Sequence, residues 1–360
     1  MKYNNDGYIK DTDCYFAASN SGDGFISYFD KIFDNSLFDH IYILKGGPGT
    51  GKSSLMKQAA AYAKKQGQKT EKILCSSDPE SLDGVIIYSN NKRTAILDGT
   101  APHTRDCSLP GVVDEIVDLG QFWNGKTLKE HRTEIEILND KKKNAYESAY
   151  AFLKAAKAYQ KRKERLLLGC LDRDKMIKKI CRTIPLKQAS GSFSKISYKL
   201  RHAISVNGLC TSEIYRKDKQ SSIGVIGDHD TSFAFLGEIF RYCTEKHQNV
   251  TISPSPLCPD RIDAISIDET EISFFDAKGE GSSEIQQLNS ERFFYESKLR
   301  EIKAELRLLS KLYGSAMTAA YKALEKAKEH HFALEEIYIR SMNFDQKELA
   351  QLHLLQDIFG

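Results

Sequence analysis

The sequence has no apolar run long enough to span a membrane. A membrane-spanning helix needs about 18 or more consecutive apolar residues, and the apolar runs here are only a few residues long. The first six residues also lack the apolar stretch of a signal peptide. Of the 360 residues, 41% are hydrophobic and 28% are charged, which excludes wholesale disorder and a small disulfide scaffold. We therefore expect a cytoplasmic protein of about two domains.

Patterned cysteines and histidines are missing as well. Eight cysteines are scattered without a CxxC pair, and nine histidines form no HExxH motif. Disulfide frameworks and structural metal sites need closely spaced ligands. We expect reduced thiols and no structural zinc.

Proline is absent from two long stretches, one between Val112 and Ile184 and one after Pro259. Both are rich in good helix formers, and their apolar residues recur every three or four positions. Each stretch predicts long amphipathic helices paired as a hairpin. Residues 126–187 carry 18 Lys and Arg against 8 Asp and Glu, so they could contact nucleic acid or another anionic partner, although charged helices are more often simply solvated.

Short apolar runs at residues 41–44, 85–88 and 95–97 predict β-strands that are buried on both faces. Between the first two, residues 52–66 have the pattern of a helix that Gly67 ends. Strands that alternate with helices predict an α/β fold with a parallel sheet core.

The chain also repeats itself, weakly but in the same order, which predicts an internal duplication. The matching sets are Ala17, Ser19 and Gly22 with Ala203, Ser205 and Gly208; Gly46, Thr50 and Leu55 with Gly227, Thr231 and Leu236; Pro79 and Asp83 with Pro259 and Asp263; and Leu97 and Asp98 with Phe275 and Asp276.

Residues 46–53 read GGPGTGKS and fit the phosphate-binding pattern GxxxxGK[ST] at every fixed position. Glycines let successive backbone N–H groups point at a phosphate, and the following helix adds the positive end of its dipole. Lys52 would reach the terminal phosphates of ATP, and the Ser53 hydroxyl would ligate Mg²⁺. The predicted nucleotide-binding residues are Gly46, Gly47, Pro48, Gly49, Thr50, Gly51, Lys52, Ser53 and Ser54.

A second element is needed to hold the metal. The apolar run before Asp98 predicts a strand that presents this carboxylate beside the loop. Lys52 and Asp98 are therefore the candidate catalytic residues, and Ser53 and Asp98 are the candidate magnesium ligands. Because Gly99 follows Asp98, no acidic residue stands ready at that position to orient water, and we expect slow basal hydrolysis.

Nearby loops offer substitutes for the missing acid. Asp78 or Glu80 could orient water, or they could instead begin a helix as its cap and first-turn acid. His103 could contact a phosphate, or it could be an ordinary loop histidine.

The second half lacks the residues that bind phosphate. Aligned on the repeat, Phe233 stands where Lys52 is, and Ala234 stands where Ser53 is. Two acids in the second loop would also repel a triphosphate. We expect one competent site, in the N-terminal half.

Three segments together resemble a known family: KGGPGTGKSSLMK at 45–57, CSSDPESLDGV at 75–85 and AILDGTAPH at 95–103. They are similar to a poorly characterised group of bacterial P-loop ATPases built from two tandem P-loop-type halves. The resemblance implies ATP binding on residues 46–54 and Mg²⁺ near Asp98. In that family the second half often carries its own P-loop, from which this chain departs.

The predicted fold class is α/β, with a duplicated P-loop NTPase-type parallel sheet core and long helical hairpin segments. The predicted segments are a P-loop NTPase core at 1–125, a basic helical segment at 126–195, a degenerate P-loop-like core at 196–280 and a C-terminal helical segment at 281–360.

The predicted function is a slow Mg-dependent ATPase, and two alternatives stay open. The first is a small-molecule or nucleotide kinase, because GGPGTGK and the Asp-Gly-x-x-Pro segment are similar to adenylate-kinase-like enzymes. Such a kinase would need lid arginines, for which Arg105, Arg132 and the arginines from Arg162 to Arg182 are available. The second is a non-hydrolysing scaffold in which ATP sets the angle between the halves.

Overall fold

A computed structural model describes residues 8–9, 11–188, 194–216, 221–277 and 285–359, so the residues considered above for a signal peptide lie outside the described part. The strands are β1 (Tyr8–Ile9), β2 (Cys14–Phe16), β3 (Ala18–Ser21), β4 (Gly24–Ser27), β5 (His40–Lys45), β6 (Lys69–Leu74), β7 (Leu82–Ser89), β8 (Lys92–Asp98), β9 (Asp114–Asp118), β10 (Ile196–Tyr198), β11 (His202–Ser205), β12 (Gly208–Ser212), β13 (Ser222–Ile226), β14 (Val250–Pro254), β15 (Ile262–Ile267), β16 (Ile272–Asp276) and β17 (Gln286–Asn289). The α-helices are α1 (Phe29–Ile32), α2 (Lys52–Lys65), α3 (Gly125–Glu130), α4 (Arg132–Leu168), α5 (Arg173–Thr183), α6 (Ser232–Glu245), α7 (Glu296–Arg340) and α8 (Phe344–Phe359). Short 3-10 helices span Asn35–Leu37, Gly120–Phe122 and Ser290–Phe293.

The fold is α/β, with two six-stranded sheets of the same design. The strand order is β2-β6-β7-β8-β5-β9 in the first sheet and β10-β14-β15-β16-β13-β17 in the second. In each sheet the third strand runs antiparallel to both neighbours, and the other neighbouring strands are parallel. Equal order and equal direction are what a duplicated unit predicts.

The sheets are mixed, so the prediction of a parallel core is wrong at β7 and β15. β7 turns into β8 through Asn90 and Asn91, whose φ angles are +48° and +63°. A two-residue turn with positive φ at both positions joins antiparallel strands, whereas a parallel connection needs a crossover of a dozen or more residues. The turn therefore fixes the direction of β7.

The elements around the glycine motif follow the sequence prediction. Residues 41–44 lie in β5 and are buried. α2 ends at Lys65, and Gly67 beyond it has a φ of +72°, a backbone angle that glycine adopts without steric cost. Leu55 and Met56 on α2 are fully buried in the core on one face of the first sheet, so α2 is held by apolar packing.

The alignment of the repeat shifts by two residues at the first hairpin. Ser21 pairs with Gly24 across β3 and β4, as Ser205 pairs with Gly208 across β11 and β12. Both glycines have a φ of +97°. The counterpart of Gly208 is therefore Gly24 and not Gly22, because it is the turn position with positive φ that requires glycine.

Each proline-free stretch contains one long helix rather than the expected hairpin, and the two long helices pack against each other. Arg162 near the end of α4 pairs with Glu305 near the start of α7 at 2.7 Å, so the helices are antiparallel. Their buried interface is apolar and rich in small side chains: Ala149, Leu153, Ala156, Met317, Ala320, Ala323 and Leu324. The apolar stripe of each long helix is therefore buried against the other helix and against the rest of the protein.

Among the described residues no helix is long and apolar enough to cross a membrane. In the same part of the chain, no group of three or more His, Cys, Asp or Glu side chains is placed to hold a metal ion. All eight cysteines carry free thiols and five of them are buried, where a thiol packs as a small apolar group.

The helix pair makes a prediction about stability. Leu324 on α7 is 1% exposed, whereas Leu308 on the same helix is 56% exposed. We expect Leu324→Ala to lower the free energy of unfolding by ~2–5 kcal/mol, because it leaves a cavity between the helices. Leu308→Ala should change it by less than about 1 kcal/mol. Urea unfolding of both variants measures the difference, and equal losses would contradict this packing.

Candidate functional site

The predicted phosphate-binding loop lies between the end of β5 and the start of α2. We call residues 46–51 the glycine loop. Gly46, Gly49 and Gly51 have φ angles of +143°, +72° and +79°, which side chains with a Cβ rarely adopt. Gly51 caps α2, and no side chain occupies that cap. The N–H groups of the first helical turn are therefore not taken by a capping side chain, as an anion site requires.

Lys52 and Asp98 lie together at the end of the first sheet. β8 runs parallel to β5 in the adjacent position, with Asp98 beside Leu44. The Lys52 Nζ donates hydrogen bonds to the carbonyl oxygens of Gly46 and Gly47 at 2.6 and 2.8 Å, and it lies 3.6 Å from Asp98 Oδ2. The structure thus brings the two candidate catalytic residues together and points the cation into the glycine loop.

Other groups hold Asp98 and the loop in place. Asp98 Oδ1 accepts hydrogen bonds from the N–H and the hydroxyl of Thr100 at 2.9 and 2.6 Å. Thr50 is buried, and its hydroxyl donates to the Gly47 carbonyl at 3.0 Å. These bonds fix a carboxylate and a loop whose positions would otherwise vary.

The remaining loop residues differ in their surroundings. The Ser53 hydroxyl oxygen accepts a hydrogen bond from the N–H of Leu82 at 2.9 Å, which ties the start of α2 to the start of β7. Ser54 is exposed, and Pro48 is half-buried. The Ser53 hydroxyl therefore lies at the start of β7, and its role as a metal ligand stays a prediction.

A cover formed by Trp123, Glu335, Ile339 and Lys347 lies over the glycine loop. A Cβ at Gly49 would lie 2.6 Å from Ile339 Cγ1. A Cβ at Gly47 would meet the Trp123 ring at 3.0 Å, and one at Gly51 would meet Lys347 Nζ at 2.9 Å. Gly49 is thus required by close packing as well as by its backbone angle. Gly47 is crowded by the Trp123 ring, and Gly51 is required by its backbone angle, because the end of the Lys347 side chain can move.

Glu335 of the cover and His331, about one turn earlier on α7, both lie in the field of Lys52. Burial raises the pKa of Glu335, while a hydrogen bond from the Gly49 N–H and the charge of Lys52 act in the opposite direction. Burial, together with the positive charges of Lys142 and Lys52, lowers the pKa of His331 to about 4. At neutral pH the imidazole is therefore neutral, and the carboxylate lies in the field of Lys52.

The acids in the loop between β6 and β7 begin no helix, because this loop enters β7 directly. Asp78 accepts a hydrogen bond from the Ser81 hydroxyl at 2.9 Å, and it lies 3.4 Å from the Lys328 Nζ of α7. Glu80 is exposed. Asp78 is thus held at the site by α7, and Glu80 points to solvent.

His103 and Arg105 are both enclosed in the protein. His103 Nε2 lies 3.3 Å from Asp83 Oδ2, and its ring stacks on Phe29 at 4.3 Å. These contacts, together with burial, make it a packed histidine rather than an open phosphate ligand. The Arg105 guanidinium is also buried and donates to the side chain of Asn35 at 2.5 Å.

The second glycine loop is one residue shorter than the first. Asp230, with a φ of +61°, takes the place of Gly49, and Gly51 has no counterpart. α6 begins at Ser232, and its buried positions follow those of α2 with a constant spacing. Ser232 therefore stands where Lys52 does, and the prediction that Phe233 and Ala234 replace Lys52 and Ser53 is wrong by one position.

Ion pairs fill the second half at the place of the first site. Asp276 ends β16 as Asp98 ends β8, and it pairs with Arg261 at 3.0 Å. Lys163 of α4 pairs with Asp230 at 2.6 Å. A cavity of about 250 Å³ lies beside these pairs, with Tyr313, Met317 and Tyr321 of α7 in its wall. The cation beside the strand-end carboxylate thus comes from a different segment in each half.

Asp263 next to this cavity is fully enclosed. Burial raises its pKa from 3.8 to about 6, and the charge of Asp276 adds to the rise while that of Arg261 opposes it. The folded protein holds this proton up to a higher pH than the unfolded chain does. Stability from this residue is therefore fully present below pH 3.8 and is lost as the pH rises through about 6.

Asp263→Asn tests whether the stability from this residue falls as the pH rises. The variant has no titrating group at this position, so its melting temperature relative to the wild type should rise by a few degrees between pH 4 and pH 7. Differential scanning calorimetry across that range measures the difference. A difference that is independent of pH would contradict the raised pKa.

Neither family models, nor curated proteins, nor solved structures gave a match to this chain. The family resemblance of the three motifs therefore stays a prediction.

The sequence did not predict the cover. Its members lie far from the glycine loop along the chain, and none belongs to a motif. One available signal was Trp123, the only tryptophan in the sequence. It comes soon after the last strand of the first sheet along the chain, as Phe294 comes soon after the last strand of the second. Trp123 pairs with Met342, which follows α7, and Phe294 pairs with Leu171, which follows α4. The same contact therefore occurs once in each half.

Proposed function

We propose that the chain binds MgATP at residues 46–54 and hydrolyses it slowly. The observation that carries this proposal is the Lys52 ammonium, which is aimed into the glycine loop and lies 3.6 Å from Asp98. A strand, a glycine loop and an uncapped helix form a cradle of N–H groups that suits a phosphate. Lys52 would exchange its two loop carbonyls for phosphate oxygens.

The donors near Asp98 also suit magnesium. Mg²⁺ takes oxygen ligands and is usually held by one or two carboxylates together with the phosphates of the substrate. Asp98 offers a carboxylate and Ser53 a hydroxyl, in a region without a self-contained metal cluster among the described residues. When bound, the metal would neutralise charge on the phosphates.

Slow turnover follows from the groups that could orient water. Gly99 follows Asp98, so no acid stands beside it. Asp78 already accepts from Ser81 and pairs with Lys328, and Glu80 is exposed. A general base must lie within hydrogen-bond reach of the attacking water, and neither Asp78, which is already engaged, nor Glu80, which points to solvent, stands ready for that role.

The kinase alternative has less support. Arg105 is buried against Asn35, and Arg162 pairs with Glu305 of α7. Arg173 pairs with Glu238 of α6 at 3.2 Å. A lid needs arginines that can close on a substrate, and these three already have structural partners.

An anionic partner on the basic segment would meet only part of its lysines. Lys157, Lys161 and Lys163 pair with acids of the two halves, whereas other lysines of the segment, such as Lys141 and Lys143, are exposed. Such contacts would weaken at high salt.

The scaffold alternative gains support because α7 contacts both halves.

Lys52→Ala tests nucleotide binding directly. We expect it to weaken MgATP binding about 100-fold, since a charge-assisted hydrogen bond contributes ~1.5–3 kcal/mol. Lys57→Ala is the matched control, because Lys57 is an exposed lysine of the same helix. Titration calorimetry on both folded variants gives the affinities, and an unchanged affinity in Lys52→Ala would overturn the assignment.

The stoichiometry should be one nucleotide per chain. In the second half Ser232 replaces the lysine, and Asp230 occupies a glycine position of the loop. Equilibrium dialysis with MgATP counts the sites. Two sites of comparable affinity would show that the second half also binds nucleotide.

A further inference from the structure

The last turns of α7 lie directly on the glycine loop. A Cβ on Gly49 would lie 2.6 Å from Ile339 Cγ1 and 3.3 Å from the backbone oxygen of Glu335. Trp123 continues this layer and packs on Tyr338 with ring centres 5.0 Å apart. α7 therefore occupies space that a phosphate on this side of the loop would need.

Glu335 meets the groups that would recognise a phosphate. Glu335 lies against Gly49, since its backbone oxygen would be 3.3 Å from a Cβ there, and the Gly49 N–H and the positive charge of Lys52 both act to lower the pKa of its carboxyl group. Backbone N–H groups and this lysine are what the motif provides for an anion. A carboxylate and a phosphate of the same sign repel each other at close range, so they compete for these groups.

The turn between α7 and α8 attaches this layer to the first half. The Ser341 carbonyl accepts a hydrogen bond from the Asn124 N–H at 2.7 Å, and the Asn343 N–H donates to the Phe122 carbonyl at 2.9 Å. α8 then packs on the core beside α2 through Leu354. The hydrogen bonds of this turn lie outside the strands of both sheets.

We propose that Glu335 is an internal competitor for the phosphate site, so that MgATP binds only after the last turns of α7 move off the glycine loop. This inference rests on the proposed function. Tyr313, Met317 and Tyr321 of the same helix line the cavity in the second half. α7 thus contacts the glycine loop near its end and the cavity of the second half near its middle.

Two neighbouring acids provide the test. Glu335→Gln keeps the size of the side chain and removes its charge, while Glu336→Gln removes the charge of a side chain that is 70% exposed and pairs with Arg340. We expect Glu335→Gln to bind MgATP about tenfold more tightly, within the usual range of such couplings. Glu336→Gln should bind as the wild type does. Titration calorimetry at one ionic strength measures all three affinities.

Trp123 gives a second readout, because it is the only tryptophan in the chain. When α7 moves, its ring loses the contact with Tyr338, so MgATP should shift its emission to longer wavelength. The shift should occur at about tenfold lower MgATP concentration in Glu335→Gln. Ile339→Ala, which trims the contact on Gly49, should also bind more tightly and covers the case in which Glu335→Gln folds poorly.

The outcomes separate the two proposals. Tighter binding by Glu335→Gln and Ile339→Ala, with Glu336→Gln unchanged, supports the inference. If the wild type binds MgATP and neither variant binds more tightly, the inference is wrong while the proposed function stands. If no variant binds MgATP at millimolar concentration, the proposed function is wrong and the inference is wrong with it.

Discussion

The antiparallel contact between α4 and α7 is the interaction on which the rest of the arrangement depends. Small residues such as Ala156 and Ala320 are fully buried between the two helices, so the backbones approach closely along an apolar stripe. Because the helices run in opposite directions, each ends over the loop of the other half. Lys163 near the end of α4 meets Asp230, and Ile339 near the end of α7 meets Gly49. The two halves are coupled by this packing.

The two halves share one arrangement of strands and loop but differ in the charged side chains at the end of the sheet. In both, a carboxylate ends the strand beside the loop, and a cation lies close to it. The cation is Lys52 from the start of α2 in the first half and Arg261 from the loop before β15 in the second. Lys52 can leave its loop carbonyls for a ligand, whereas Arg261 is buried among acids. Buried charges that are already paired resist separation, so these ion pairs hold the second loop and its strand together.

Several features were readable because they depend on neighbouring residues only. The glycine spacing at 46–51 predicts the loop, and the apolar run before Asp98 predicts its strand. The direction of β7 was also readable, since Asn90 and Asn91 between two apolar runs indicate a hairpin. The error came from treating alternation of strands and helices as proof of a parallel sheet. The one-residue shift at Phe233 has another cause: a sequence alignment does not show where a helix begins when the loop before it is shorter.

The sequence by itself determined the local geometry of the candidate site, because backbone angles at Gly49 and Gly51 and the start of α2 follow from residues next to one another. Only the tertiary structure decided what covers that site. Glu335 reaches the glycine loop through the packing of α7 on α4, and Trp123 reaches it through the 3-10 helix that follows β9. Apolar packing is not directional. A stripe of alanine and leucine predicts that a helix is buried, but it does not name the surface that buries it. The partner of each long helix was therefore fixed by the fold as a whole.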